Sequence, residues 1–238
     1  MKEHIYTIPI REAMAENSPC PNCKIYEKEE RNLIEYTLGP SMMEPDSREE
    51  SNKTGFCSYH LDKLLNFGSG KLSMALMLST HFDEVLKDLG TLAKKTPHPV
   101  TGVLKKKSPG IDISSLEKRF SRCVMCKKME KVSVNCVDTL IYMWKDQSDF
   151  RKEAEASRGF CNKHLVSLIN HAPHKLNEEE CRIFISKLLK IQAENANKDK
   201  ENLLGFIDQF DYQKRQENSG DYSSALSDVV TRLQGKEI

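Results

Sequence analysis

Two short patterns near the N-terminus have spacings that suit a metal ion. Cys20 and Cys23 are separated by two residues, which lets two thiolates reach one ion from a tight turn. Cys57 and His60 are three positions apart, so both side chains lie on one face if a helix begins there. Together the four residues supply the complete ligand set of a closed tetrahedral site.

Both patterns occur a second time. Cys123 and Cys126 repeat the first pattern 103 residues later, and Cys161 and His164 repeat the second pattern 104 residues later. The stretches GFCSYHLDKLLN and GFCNKHLVSLIN, which contain the Cys-x-x-His motifs, are identical at seven of twelve positions. Within each copy, 33 or 34 residues separate the two motifs. These matches predict an internal duplication.

The eight residues can be grouped in two ways. Equal spacing within each half favours one metal site in each half, whereas the alternative takes the ligands of one site from both halves. The favoured grouping places Cys20, Cys23, Cys57 and His60 in the first site and Cys123, Cys126, Cys161 and His164 in the second. In that grouping, Cys57→Ser releases one metal ion and loosens the N-terminal half only.

The ligand type favours zinc in a structural role. Three thiolates and one imidazole fill four positions and leave none open for the water that a catalytic zinc carries, so we predict two Zn²⁺ per chain. An iron–sulfur cluster is the alternative, because Cys₃His also suits a cluster. Cys136 and Cys181 have no counterparts in the other half and lie on apolar helical faces, which is typical of core cysteines.

The surrounding sequence is typical of helices. Apolar residues from Val137 to Trp144 recur at i, i+3, i+4 and i+7, and neither half contains a convincing alternating strand. Residues 96–115 combine Pro, Gly, Ser and Lys without apolar periodicity, which indicates a linker. We therefore predict an all-α protein with a first metal-binding repeat at 1–95, a linker at 96–115, and a second repeat with a helical extension at 116–238.

Composition narrows the choice of partners and compartment. The 238 residues include 36 Lys and Arg against 35 Asp and Glu, a net charge of +1, so we expect neither nucleic acid nor a membrane as a partner. The longest apolar run, residues 72–78, is too short to cross a bilayer, and the N-terminus lacks a signal-peptide pattern. We expect a cytoplasmic protein, in which eight cysteines are not a disulfide framework.

The motifs resemble those of a family of prokaryotic proteins of unknown function with a duplicated CPxC…GFCxxHL pattern. The resemblance spans nearly the whole chain, including TIPIREA at residues 7–13 and an FDYxxR-like segment at 210–215. It implies that the same eight residues are metal ligands. The second copy has Val124 where the first has Pro21, a difference that alters turn rigidity more than ligand chemistry.

These observations favour a non-enzymatic protein in which zinc holds the starts of helices and the two halves present a surface to a protein partner. No glycine-rich phosphate loop or nucleophile signature is present in the sequence, so no enzyme is assigned. The alternative is a redox or electron-transfer protein that uses iron–sulfur clusters or readily ionised thiols.

Overall fold

Helices make up most of the protein in the computed structural model, which describes residues 5–95, 98–101, 107–211 and 220–235. The helices are α1 (Thr7–Ala15), α2 (Pro21–Leu38), a 3₁₀ helix (Pro40–Met43), α3 (Pro45–Thr54), α4 (Ser58–Leu65), α5 (Lys71–Ala93), α6 (Ser114–Phe120), α7 (Val124–Asp146), α8 (Ser148–Ala156), α9 (Asn162–Lys175), α10 (Glu178–Asp208) and α11 (Ala225–Gln234). The prediction of a helical fold is confirmed. Among these described residues, no helix is long and apolar enough to span a membrane.

The predicted linker contains a short antiparallel hairpin. Strand β1 (His98–Thr101) pairs with strand β2 (Lys107–Gly110), with His98 opposite Gly110. Four-residue strands are too short for an alternating pattern to be recognised, which is why the sequence indicated only a linker here.

The chain forms two compact units. Unit 1 combines Met1–Glu29 with Lys131–Ile238, and unit 2 is the continuous segment Glu30–Glu130. The chain passes from one unit to the other within α2 and again within α7. These bounds differ from the predicted halves at 1–95 and 116–238, because the first 29 residues belong with the C-terminal part of the chain.

Unit 1 has the larger of the two apolar cores. The face of α7 from Val137 to Trp144 is buried, as the spacing of its apolar residues predicts. Trp144 packs edge-on against Phe184 of α10, with ring centroids 4.9 Å apart. Each such side chain stabilises the fold by about 1.5–3 kcal/mol through burial. Cys136 lies in this core and Cys181 packs against it, which agrees with their interpretation as core residues.

Unit 2 has its own apolar core, formed by α2, α4, α5 and the start of α7. Its buried members are Ile34, Leu38, Leu64, Met74, Met77, Cys123, Val124 and Met125. Cys57 and Cys126 are partly buried against this cluster. Three of the candidate ligands are therefore part of the packing of unit 2.

Candidate metal centres

Four donor atoms lie close together at site 1, which consists of Cys20, Cys23, Cys161 and His164. The Nδ1 atom of His164 lies 3.4 Å from the Sγ of Cys20, 3.6 Å from that of Cys23 and 3.1 Å from that of Cys161. The Sγ atoms of Cys23 and Cys161 are 3.6 Å apart. All four side chains are buried, and all belong to unit 1.

Site 2 consists of Cys57, His60, Cys123 and Cys126, all in unit 2. The Nδ1 atom of His60 lies 3.3 Å from the Sγ of Cys57 and 3.4 Å from the Sγ atoms of Cys123 and Cys126. The Sγ atoms of Cys57 and Cys126 are 3.6 Å apart. His60 and Cys123 are buried, whereas Cys57 and Cys126 are half-buried, so site 2 is the more accessible of the two.

The predicted grouping of the ligands by sequence half is wrong. Each site joins the Cys-x-x-Cys motif of one half to the Cys-x-x-His motif of the other. The reason is the path of the chain, which enters unit 2 along α2 between Cys23 and Cys57 and returns along α7 only after Cys126. Replacement of Cys57 is therefore expected to loosen unit 2 rather than the N-terminal half.

Four donor–donor separations at each site can be compared with the edges of a tetrahedron around one zinc ion. With Zn–S bonds of about 2.3 Å and Zn–N bonds of about 2.0–2.1 Å, tetrahedral angles place two sulfurs about 3.8 Å apart and a sulfur and a nitrogen about 3.6 Å apart. These separations are 3.1–3.6 Å at site 1 and 3.3–3.6 Å at site 2, equal to the tetrahedral edges or up to about 0.5 Å shorter. A cluster distributes its ligands over several iron atoms and so separates them more widely. The four donor atoms of each site are close enough together to hold one metal ion.

All four motifs lie at the starts of helices. Cys20 and Cys123 immediately precede α2 and α7, and Cys57 and Cys161 are the residues before α4 and α9. The backbone N–H of His164 donates to the Sγ of Cys161, and that of Cys126 donates to the Sγ of Cys123. Unpaired N–H groups and the helix dipole stabilise thiolates in these positions. The prediction that Cys-x-x-His opens a helix is confirmed.

A glycine with positive φ lies two residues before each Cys-x-x-His motif. The φ angles are 74° at Gly55 and 79° at Gly159. A Cβ atom at Gly55 would lie 2.7 Å from the ring of His81, and one at Gly159 would lie 2.8 Å from the Oε1 of Gln192. Glycine is required at both positions for its conformation and for space, which explains its presence in both copies of GFC.

Helices α10 and α11 hold the segment that precedes Cys161. The side chain of Gln192 accepts from the backbone N–H of Phe160 at 3.1 Å and donates to its carbonyl at 2.8 Å. Arg232 donates to the carbonyls of Phe160 and Arg158, at 3.2 and 2.9 Å. Its buried guanidinium also pairs with the buried carboxylate of Asp199. These contacts position one ligand of site 1 from distant helices.

Unit 2 contains a comparable arginine–aspartate pair, which lies near the end of α3. Arg119 of α6 pairs with Asp88 of α5 at 2.7 Å and donates to the carbonyls of Asn52 and Lys53 at 3.3 and 3.5 Å. The carbonyl of Asn52 also accepts from Nδ1 of His81 at 2.8 Å. In each unit an arginine paired with an aspartate thus contacts backbone carbonyls within three residues of the GFC glycine. Neither pair was predicted, because its partners are 31 and 33 residues apart and share no motif.

The protein stabilises one thiolate in each site. Hydrogen bonds from Cys20 and Cys23 hold the pKa of Cys161 well below its usual range, while burial raises the pKa of Cys20. In site 2, burial opposes the ionisation of Cys123, but hydrogen bonds from His60 and the backbone lower its pKa to about 6. Burial raises the pKa of Cys126 to about 12. The thiols of Cys20 and Cys126 therefore ionise when a metal ion displaces their protons.

The fold and the two sites define a class: a helical protein with two Cys₃His groups, each built at the starts of two helices. The chain belongs to a family of unknown function, DUF6062, whose model matches residues 1–238. The resemblance drawn from the sequence motifs is thereby confirmed. No curated protein matches the chain, and no solved structure matches it. Most of the FDYxxR-like segment, at 212–215, lies outside the described residues.

Proposed function

We propose that the protein binds two zinc ions, one at each site, and that its role is structural rather than catalytic. The observation that carries this proposal is that the Nδ1 atom of one histidine at each site lies 3.1–3.6 Å from three sulfurs, with all four donor atoms within 4.8 Å of one another. A complete set of four protein ligands leaves no coordination position for substrate or water, which supports a non-enzymatic role.

The structural role follows from what each ion would connect. At site 1 the ion joins the start of α2 to the start of α9, and the sulfurs of Cys23 and Cys161 are 138 positions apart in the chain. At site 2 it joins the start of α4 to that of α7, where Cys57 and Cys126 are 69 positions apart. Closing such long loops restricts the unfolded chain, so metal binding contributes directly to folding free energy.

Elemental analysis of the full chain, purified without oxygen and combined with an absorption spectrum, tests the proposal. We expect about two zinc ions per chain and no visible absorption band. Cys181→Ser is the matched control and should keep both ions, since Cys181 belongs to neither site. A brown protein containing iron and sulfide would overturn the assignment of zinc. A protein that keeps its full thermal stability after chelation would overturn the structural role.

Thiol redox chemistry is the second candidate function, favoured by one feature of site 2. Cys57 and Cys126 are half-buried and their sulfurs are 3.6 Å apart, so an oxidant can reach a pair of neighbouring thiolates. Hydrogen peroxide would accept two electrons from the pair and become two waters with two protons, while a disulfide forms and the zinc ion leaves. A Cys57–Cys126 disulfide that appears together with one free zinc ion at low peroxide concentration would support this function.

The protein partner and the cytoplasmic location expected from the sequence stay predictions. Purification of the tagged protein from its own cells under reducing conditions would test the first, and cell fractionation the second.

A further inference from the structure

Glu30, on α2, is a carboxylate buried inside unit 2. Its side chain is 5% exposed, although ionised carboxylates are almost never buried unless they are paired. The Oε2 atom accepts from the Nζ of Lys63 at 2.8 Å and from the hydroxyl of Tyr59 at 3.4 Å. Lys63 and Tyr59 both belong to α4, the helix whose start carries two ligands of site 2. Glu30 is thus held against the helix that presents His60.

The other oxygen of Glu30 faces His60. Oε1 lies 3.5 Å from the Nε2 atom of His60, and both atoms are buried without a hydrogen-bond partner. The opposite ring nitrogen, Nδ1, faces the three sulfurs of site 2. The imidazole therefore has one nitrogen directed to the metal site and the other to a carboxylate.

A metal ion at site 2 requires one tautomer of His60. An ion on Nδ1 uses the lone pair of that atom, so the ring proton must be on Nε2. The Nε2–H group then points at Oε1 of Glu30, an acceptor that has no other partner. A small closure of the 3.5 Å gap satisfies two buried polar atoms at once, which favours the hydrogen bond.

We propose that Glu30 is the positioning residue of site 2, which accepts a hydrogen bond from Nε2–H of His60 and so fixes the tautomer and orientation of this ligand. A carboxylate behind a metal-bound histidine also makes the imidazole a stronger donor. The inference rests on the proposed function, because it assigns a role within the metal site on which that function depends.

The first test measures zinc affinity by competition with a chromophoric chelator, using the full chain under reducing conditions. In Glu30→Ala we expect one zinc ion to bind as in the wild type and the other to bind about 10- to 100-fold more weakly. Glu30→Gln should weaken binding less, because its amide oxygen still accepts from Nε2–H. The matched control is Glu35→Gln, an exposed residue of the same helix that pairs with Arg31 at 3.3 Å, and it should leave both affinities unchanged.

The second test needs no variant and so does not depend on the folding of Glu30→Ala. In the zinc-loaded wild type, ¹⁵N spectra of the histidine rings should show His60 protonated at Nε2, with slow exchange of that proton with water. Rapid exchange at Nε2 would overturn the role of Glu30, whereas a proton on Nδ1 would overturn the ligation of the ion by that nitrogen and with it the proposed site 2.

Failure of the proposed function and failure of the role of Glu30 give different results in these experiments. A wild-type protein that binds fewer than two zinc ions overturns the proposed function itself. A wild type with two zinc ions, together with a Glu30→Ala variant of unchanged affinity, overturns only the role of Glu30.

Discussion

In the proposed zinc-bound protein, each ligand residue supplies one of four bonds to a single ion, so replacing it affects that ion and leaves the other with all four donors. The outcome of a double replacement then depends on whether its two residues share a site. Replacing two residues of the same site releases one ion. Replacing one residue in each site releases both ions. Stoichiometry alone can therefore report how the four motifs are paired.

We expect the double variant Cys20→Ser, Cys161→Ser to retain one zinc ion, because both residues belong to site 1. The double variant Cys20→Ser, Cys57→Ser should retain none, because it removes one ligand from each site. Elemental analysis after gel filtration measures both. If the ligands were grouped by sequence half, the two counts would be exchanged.

Two glycines of unit 2 allow the cost of backbone conformation to be separated from the cost of steric contact. Gly55 and Gly68 have φ angles of 74° and 81°, but a Cβ atom would contact the His81 ring only at Gly55. Gly68→Ala should lower the free energy of unfolding by about 1 kcal/mol through backbone strain. Gly55→Ala should lower the free energy of unfolding by about 1–3 kcal/mol more than Gly68→Ala does, because the His81 ring must move. Urea unfolding, with hydrogen exchange over residues 30–130, checks the difference, and equal costs would contradict the contact.

At the scale of the elements, a buried ion pair joins α11 to α10 within unit 1. The side chains of Arg232 and Asp199 are 6% and 5% exposed, and Arg232 also donates to two carbonyls near Cys161. Removing one partner of such a pair leaves the other charge buried, at a typical cost of 3–5 kcal/mol. Arg158 remains within 2.9 Å of Asp199 and compensates part of that loss.

We therefore expect Arg232→Met to lower the stability of unit 1 by about 3 kcal/mol, at the low end of the range for a broken buried pair. Hydrogen exchange should increase in α11 and in the segment before Cys161, and site 2 should keep its zinc. Arg182→Met is the control, because Arg182 pairs with Glu179 at the surface and should change stability little. Equal effects of the two variants would show that the buried network does not hold α11.

The helices themselves were predictable, and the contacts between them were not. Apolar residues of α7 between Val137 and Trp144 recur with the period of a helix, and this recurrence predicted the buried face. A helix that buries one face needs apolar residues at that spacing. Glu30 carries no comparable signal: it lies ten positions after Cys20 of site 1 but contacts His60 of site 2. One glutamate among several in a charged helix is indistinguishable from a solvated one until the packing of α4 is known.

At the scale of the whole molecule, the eight candidate residues could be found from the sequence, whereas their grouping could not. The two groupings contain identical motifs, and the spacings of 33 and 34 residues fit either. The grouping depends on the bounds of the compact units, because the first boundary between them falls within α2, after Cys23 and before Cys57. The next Cys-x-x-His motif, at Cys57 and His60, belongs to unit 2, whereas Cys20 and Cys23 belong to unit 1.

Because the two sites differ in burial, we expect them to release metal at different rates. Site 1 is buried throughout, whereas Cys57 and Cys126 of site 2 are half-buried. A thiol-alkylating reagent should therefore release one zinc ion quickly and the second only as fast as unit 1 opens. A zinc-sensitive dye follows the two phases, and mass spectrometry of the alkylated cysteines assigns them, with Cys57 and Cys126 modified first. Cys57→Ser should lack the fast phase and keep the slow one. Early modification of Cys20 or Cys23 would show that burial does not control access to the sites.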